Sequence, residues 1–313
     1  MSSEPLAVMP GTSALLDLVK GQEPVSAAVV HPCDALTLRA ALDARNAGLL
    51  LPRLVAPRQR LKALAQANGL SLDGIVIDDV AHSHDAARLA VQLAAQGQVE
   101  LLVKGSLHTD ELMAAVVDKA SGLRTGRRVT HCFLMQTPTY PRPFIITDAA
   151  VNIAPDLVTK ADIVRNAIDL ARAIGVNMPR VAILAAVETV NPRMQATLDA
   201  AALCKMADRN QIVGGLLDGP LAFDNAVSPE AAEIKGIVSP VAGRADVLVV
   251  PDIESGNMLA KQLEYLGRAS SAGIVLGARV PIVLTSRADS RDCRLASCAL
   301  GLLLAHRYRS SPP

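Results

Sequence analysis

Short apolar runs of strand length alternate with longer amphipathic stretches along most of this chain. Residues 25–30, 49–56 (interrupted by Pro52), 75–77 and 101–103 read as strands. Residues 34–47, 59–68, 83–96 and 110–119 read as helices, and Gly69 and Gly97 stand where two of them stop. A glycine-rich basic stretch, 122–128, reads as a crossing between two domains. Beyond it, strands are expected at 129–136, 144–147, 181–187, 247–250, 273–276 and 282–284. Helices are expected at 159–174, 191–207 (opened by Asn191-Pro192), 256–266 and 295–305. This order predicts an α/β fold of right-handed βαβ units, with mostly parallel sheets flanked by helices.

Composition narrows the class. The 313 residues suffice for two domains with large cores. Hydrophobic residues make up 50 % and mean hydropathy is +0.30, as expected of sheets covered on both faces. The longest apolar run, 295–305, falls short of the ~18 residues that span a bilayer. A net charge of +1 and the absence of Trp argue against nucleic acid or a membrane surface as partner. No basic residue precedes Lys20, so the N-terminus does not read as a secretory signal. The five cysteines form no CxxC, which disfavours a zinc site or a disulfide framework and suits a reducing cytoplasm.

Four successive strands end in polar residues: at Glu188, at Asp218-Gly219-Pro220, at Pro251-Asp252 and at Thr285-Ser286-Arg287. In open α/β sheets ligands sit at the carboxyl ends of strands, so these ends form either a substrate cleft or a set of helix caps. Asp252 and Ser255 can each cap a helix that follows, Gly256 can admit a ligand, Asn257 can bond one, and Lys261 can neutralise phosphate or reach solvent. The turn Lys104-Gly105-Ser106-Leu107-His108-Thr109 enters a helix and offers N–H groups to an anion, without the spacing of a nucleotide P-loop. No GxGxxG is present, which weighs against a dehydrogenase. His82 and His84 lack a third metal ligand, Arg124, Arg127 and Arg128 read as a solvated linker, and Cys293 and Cys298 as packing residues. No metal is expected.

Three ordered blocks carry a resemblance. Asp218 to Ala226 (DGPLAFDNA), Val250 to Asn257 (VPDIESGN) and 273–290, ending in SRADS, resemble blocks of the phosphate acetyltransferase and phosphate butyryltransferase family. Lys104-Gly105 with His108-Thr109 resembles the family's turn in its first domain. The resemblance covers nearly the whole chain, and the DGPLAFDNA and SRADS variants look more like the butyryltransferase branch. It implies reversible acyl transfer, acyl-CoA plus phosphate to CoA plus acyl phosphate, with a short acyl group such as butyryl or acetyl. It also implies an isocitrate/isopropylmalate-dehydrogenase-like fold of two domains with the active cleft between them. The domains expected are 1–127 plus 276–313, and 128–275. A homodimer is implied, with coenzyme A, acyl-CoA and phosphate as substrates and no further cofactor.

By the same resemblance, Arg287 holds the phosphoryl group, Ser286 bonds the developing oxyanion or the leaving group, and a carboxylate just beyond acts as base. The chain departs from the pattern here. Seven positions after Ser286 stands Cys293, where the acetyltransferase branch has its base. Asp292 is the expected base and Asp289 the alternative, although one residue of helix turns a side chain by about 100°. The arginine that the acetyltransferase branch carries in the helix after the His-Thr turn is missing near Met113 and Ala114, so that phosphate contact is lost or supplied by the Arg124 cluster. The alternative to catalysis is a domain of the same fold that binds CoA or acyl phosphate without turnover, as in domains appended to some malic enzymes.

Overall fold

The computed structural model describes residues 11–286 and 288–313. The chain divides into two compact units, Ser13–Val129 with Ala272–Pro313, and Thr130–Ser271 with residues 11 and 12.

The first unit opens with α1 (Ala14–Leu18) and then alternates strictly: β1 (Val25–Val30), α2 (Ala35–Asn46), β2 (Leu50–Val55), α3 (Arg58–Ala67), β3 (Val76–Asp78), α4 (Ser83–Ala95), β4 (Leu101–Lys104) and α5 (Thr109–Val117). The helices start where side chains cap them. Asp34 Oδ1 accepts the Thr37 N–H at 2.8 Å ahead of α2. Gly69 and Gly97 take positive φ just past α3 and α4, as a left-handed helix stop requires. β2 runs unbroken through Pro52, contrary to the expected interruption. Its pairing with β3 begins only at Arg53, so the missing N–H of Pro52 costs no bond on that side.

The second unit contains β5 (Thr130–Gln136), β6 (Phe144–Thr147), α6 (Leu157–Ala173), β7 (Arg180–Leu184), α7 (Gln195–Asp208), β8 (Leu216–Leu221), α8 (Phe223–Val227), α9 (Pro229–Ile234), β9 (Val247–Val249) and α10 (Ile253–Tyr265). Its strand order is β5-β6-β9-β7-β8, parallel except for the β5–β6 pair. Helix α7 begins at Gln195 rather than at Asn191. Asn191 instead builds a turn, its Oδ1 accepting the Arg193 N–H at 2.9 Å while Thr197 Oγ1 accepts the Asn191 N–H at 2.9 Å. α6 is nearly enclosed and carries Lys160, whose buried ammonium pairs with Asp199 of α7 at 2.7 Å.

The chain then returns to the first unit through β10 (Ser270–Leu276), β11 (Ile282–Val283) and α11 (Arg291–Ser310). Within this unit the strand order is β3-β2-β1-β4-β11-β10, with β11 parallel to β4 and antiparallel to β10. The antiparallel β10–β11 and β5–β6 pairs are hairpin-like links that apolar runs alone do not distinguish from parallel neighbours. α11 is longer than its apolar stretch because Ser290 caps it, accepting the Cys293 N–H at 3.1 Å. No helix among the described residues is long and apolar enough to cross a membrane.

Candidate active site

In the first unit the chain leaves β1 toward β2 and β3 on one side, while β4 and β11 lie on the other. The loops after β1 and β4 therefore diverge at a topological switch point, the usual place for a ligand in an open α/β sheet. Gly105 locks these loops together. A Cβ there would stand 2.3 Å from the Val30 carbonyl oxygen, so only glycine lets the backbones meet. Its N–H donates to that carbonyl at 2.9 Å, and the Ser106 N–H donates to His31 at 2.9 Å. Ser106 Oγ donates to the His31 carbonyl at 2.7 Å and accepts the Cys33 N–H at 3.1 Å. Lys104 is half-buried at the end of β4, with Nζ 3.4 Å from the Gly105 carbonyl. His108 is the exposed N-terminal neighbour of α5, and its imidazole makes no capping bond, while Thr109 is the first residue of that helix.

Between these loops lies a cavity of about 430 Å³ lined by His31, Cys33, Asp34, Leu36, Arg60 and Ser106. Of these only Ser106 stood out in the sequence. His31 holds a left-handed backbone, φ 53°, unusual for a residue other than glycine. Burial, then Arg60, pushes its imidazole pKa down, with Glu111 and Asp34 opposing. Burial pushes the Cys33 thiol up, so it is not poised as a nucleophile. A strained histidine directly after a strand was the available signal, but φ is not legible in a sequence.

The same unit carries Ser286, exposed beyond the end of β11. Its backbone N–H donates to Asp289 Oδ2 at 2.7 Å, and its Oγ accepts the Ala288 N–H at 3.3 Å. The Asp289 carboxylate is thus committed to shaping the turn. Asp292 sits in the first turn of α11, exposed and making no hydrogen bond among the described residues. Cys293 is half-buried, and Cys298 is enclosed, with burial raising its thiol to about 12. Arg287 lies outside the described residues.

The second unit has its own rim at the carboxyl ends of β6 and β9. Asp148, directly after β6, is buried and accepts the N–H groups of Ala150 and Val151 at 3.0 Å and the Asn152 amide at 2.6 Å. Burial nevertheless raises its pKa. Asp252 caps α10, its Oδ1 accepting the Ser255 N–H and Oγ each at 2.8 Å, so α10 starts three residues ahead of the expected Gly256. Asn257 Nδ2 donates to the Ala149 carbonyl at 3.3 Å. Gly256 does not open a path for a ligand. It is buried, and a Cβ there would lie 2.7 Å from Val250 Cγ2 and 3.1 Å from Ala149 Cα, so it serves helix–strand packing. Lys261 Nζ is paired with Glu264 at 2.7 Å, and Glu264 also accepts from Ser271 at 2.6 Å, so its charge is largely met within the unit.

Two strand ends are revised. β8 continues to Leu221, which places Asp218 inside the strand, its Oδ1 bonded to the Gly219 N–H at 2.8 Å, rather than at the rim. β7 ends at Leu184, and Glu188 pairs with Lys235 at 2.9 Å. Asn225, in α8 just beyond β8, is wholly buried, with no partner for either amide atom among the described residues. His131, in β5, is likewise enclosed, with both ring nitrogens unpartnered and its pKa lowered to about 3 by burial, then Lys261. Arg124 lies in the connecting stretch, its backbone bridged to Ala278. His82 heads α4, and His84 pairs with Glu111 at 3.1 Å. No group of three or more metal-ligating side chains is assembled among the described residues.

Both units carry polar residues at the carboxyl ends of strands, where open α/β sheets bind small ligands. A family model described as phosphate acetyl/butaryl transferase matches residues 80–301, and the chain belongs to this family. It is 57 % identical over 297 residues to a phosphate acetyltransferase of Rhizobium meliloti, covering 95 % of this chain and 94 % of that one. A phosphate butyryltransferase of Clostridium acetobutylicum is 40 % identical over 287 residues, 92 % of this chain and 95 % of that one. The fold matches a branched-chain phosphotransacylase of Enterococcus faecalis V583 with a TM-score of 0.79 and 29 % identity, over 90 % of this chain and 99 % of that chain. Identity is therefore higher to the acetyltransferase than to the butyryltransferase, the reverse of the branch that the DGPLAFDNA and SRADS variants suggest.

Proposed function

We propose that this protein transfers a short acyl group, acetyl in preference to butyryl, between coenzyme A and phosphate: acyl-CoA + phosphate ⇌ CoA + acyl phosphate. The family match across residues 80–301, which includes the Ser286 turn at the head of a capped helix, carries the reading. The 57 % identity to a named phosphate acetyltransferase supports acetyl.

In the direction of CoA acylation, the thiol loses its proton to a carboxylate and its sulfur attacks the acyl-phosphate carbonyl. A tetrahedral oxyanion forms, then collapses as the C–O bond to phosphate breaks. Such a site needs a cation for the phosphoryl group, donors for the oxyanion and a base for the thiol. We assign these roles to Arg287, Ser286 and Asp292. Asp289 is less suited because its carboxylate already holds the Ser286 N–H. Lys104, Gly105, Ser106, His108 and Thr109 are proposed to face the substrate in the first unit. In the second unit Asp252, Ser255 and Asn257 are proposed as polar contacts, with Gly256 and Lys261 on the same helix; Asp218, held within β8 by its bond to the Gly219 N–H, is not assigned a contact. No cofactor beyond these substrates is invoked. A homodimer and a cytoplasmic setting belong to the same family reading.

Purified protein should release CoA from acetyl-CoA only when phosphate is present. Arg287→Ala should abolish that release while leaving the thermal melt unchanged, and retained turnover would refute its role. A second reading, CoA binding without turnover, draws on Cys293 at the position of the base. Calorimetric CoA binding together with no acyl transfer from C2 to C6 would favour it.

A further inference from the structure

We infer that Arg60, with His31 and Ser106, forms a phosphoryl-binding subsite in the cavity between the β1 and β4 loops. The inference rests on the acyltransferase reading for the source of its ligand, but not for the existence of the subsite.

The cavity has the size of a small-ligand pocket, about 430 Å³, and sits at the switch point of the first unit's sheet. Three kinds of group converge on it. Arg60 lies on α3 with an exposed side chain, and its one hydrogen bond among the described residues, Nη2 to the Cys33 carbonyl, is long at 3.4 Å. Most of its donor fork is therefore available, and that fork matches two phosphoryl oxygens. His31 is nine-tenths buried and lines the same cavity. Its Nδ1 lies 3.4 Å from Ser106 Oγ, and no described residue bonds its Nε2. The first turn of α2 supplies the third group. Asp34 takes the Thr37 N–H, while those of Ala35 and Leu36 have no intrahelical acceptor. Asp34 also lines the cavity and opposes an anion, but its Oδ1 is engaged by both Thr37 N and Thr37 Oγ1, at 2.8 and 3.1 Å.

The sequence offers the Arg124 cluster as another possible source of positive charge, although it reads there as a solvated linker. Arg124 does not line this cavity; its backbone is bridged to Ala278, within a connection in which Thr125 donates to the Gly277 carbonyl at 2.7 Å. Arg60 faces a formed cavity, and nothing in its sequence neighbourhood, Arg58-Gln59-Arg60 of an amphipathic helix, marks it out.

The ligand chemistry is a phosphate mono- or dianion, available either as inorganic phosphate or as a phosphoester end of CoA. Calorimetric titration of the whole protein with inorganic phosphate, with CoA and with dephospho-CoA separates these sources, and KM values for phosphate and CoA add a second readout. Charge-assisted bonds of this kind are worth about 1.5–3 kcal/mol, so Arg60→Gln should weaken one ligand by about tenfold or more. The change should fall more on KM than on kcat. Arg60→Lys should recover part of it, since charge survives without the fork. Loss confined to phosphate places the reacting anion in the cavity. Loss for CoA but not dephospho-CoA places the 3′-phosphate there, and equal loss for both places the diphosphate there. Leu36→Glu, at the mouth of the same cavity, should weaken the same ligand. Unchanged affinities for all three ligands in a folded Arg60→Gln protein would overturn the inference. If the wild-type protein shows no acyl transfer but binds phosphate through Arg60, the acyltransferase reading fails and the subsite stands.

Discussion

The carboxylate of Asp289 accepts the backbone N–H of Ser286 at 2.7 Å, which fixes the turn that presents the serine hydroxyl. Asp292, one turn into α11, carries no such duty. Asparagine at 289 keeps an acceptor oxygen, so Asp289→Asn should lower kcat by less than tenfold. Asp292→Asn removes the proposed base and should lower kcat by about 10² or more. The opposite ranking in steady-state kinetics would exchange the two roles. Gly105 gives a stability test at the same scale. Its Cβ would enter the Val30 carbonyl at 2.3 Å, so Gly105→Ala should cost about 1–3 kcal/mol in urea unfolding. A wild-type midpoint would show that the β1 and β4 loops can part freely. Ser286 and the Lys104–Thr109 turn were legible because each joins an apolar run to a helix and lies in a stretch that resembles the family's blocks. His31, Arg60 and Asn225 were not, since each is defined by what surrounds it in space.

At the level of elements, caps and buried pairs decide where the chain starts and stops. Asp34, Asp252 and Ser290 each accept an N–H three residues on, and the last two begin helices whose starts the apolar pattern alone placed three and four residues late. Ser290→Ala should cost about 1 kcal/mol in urea unfolding, and a null effect would mean α11 does not rely on its cap. The enclosed Lys160–Asp199 pair joins α6 to α7. Asp199→Ala leaves a buried ammonium unmatched and should cost about 3–5 kcal/mol, whereas replacing both partners by Met and Leu should be close to neutral. Equal losses for the single and double variants would contradict this. Alternation of strands and helices was readable because period and length differ so clearly. The displaced start of α7 and the length of β8 were not. Thr197 reaches back to Asn191 across six residues, and β8 runs on through Asp218-Gly219-Pro220, a sequence that reads as a turn, by shifting its register against β7 between Asp218 and Leu221.

For the whole molecule, proton linkage and the reaction itself offer separate tests. His131 is enclosed without a hydrogen-bond partner among the described residues, and its pKa is lowered to about 3, while an unfolded histidine titrates near 6.5. The folded state therefore binds fewer protons than the unfolded state between these values. Its stability should be fully present above about pH 6.5 and fall on acidification, by up to about 1.4 kcal/mol per pH unit for this group. His31, lowered in the same direction, adds to the slope. Asp148 and Asp246, raised by burial, act in the opposite sense, favouring the fold at low pH and losing that contribution as pH rises through their folded pKa values. His131→Leu isolates one contribution, and its stability profile between pH 6.5 and 5 should be flatter than that of the wild type. An identical slope would mean the ring is not enclosed in solution. The two-unit α/β class was legible from alternation, and the family from three ordered blocks. The acyl group was not, because the block variants lean one way and overall identity the other.

Acyl transfer to phosphate at the Ser286 turn is measured by kcat/KM for CoA release across acetyl- to hexanoyl-CoA, with and without phosphate. Turnover should require phosphate, be highest with acetyl-CoA and disappear in Arg287→Ala. No phosphate-dependent release with any of these substrates, from a folded protein that binds CoA, would contradict acyl transfer at this turn.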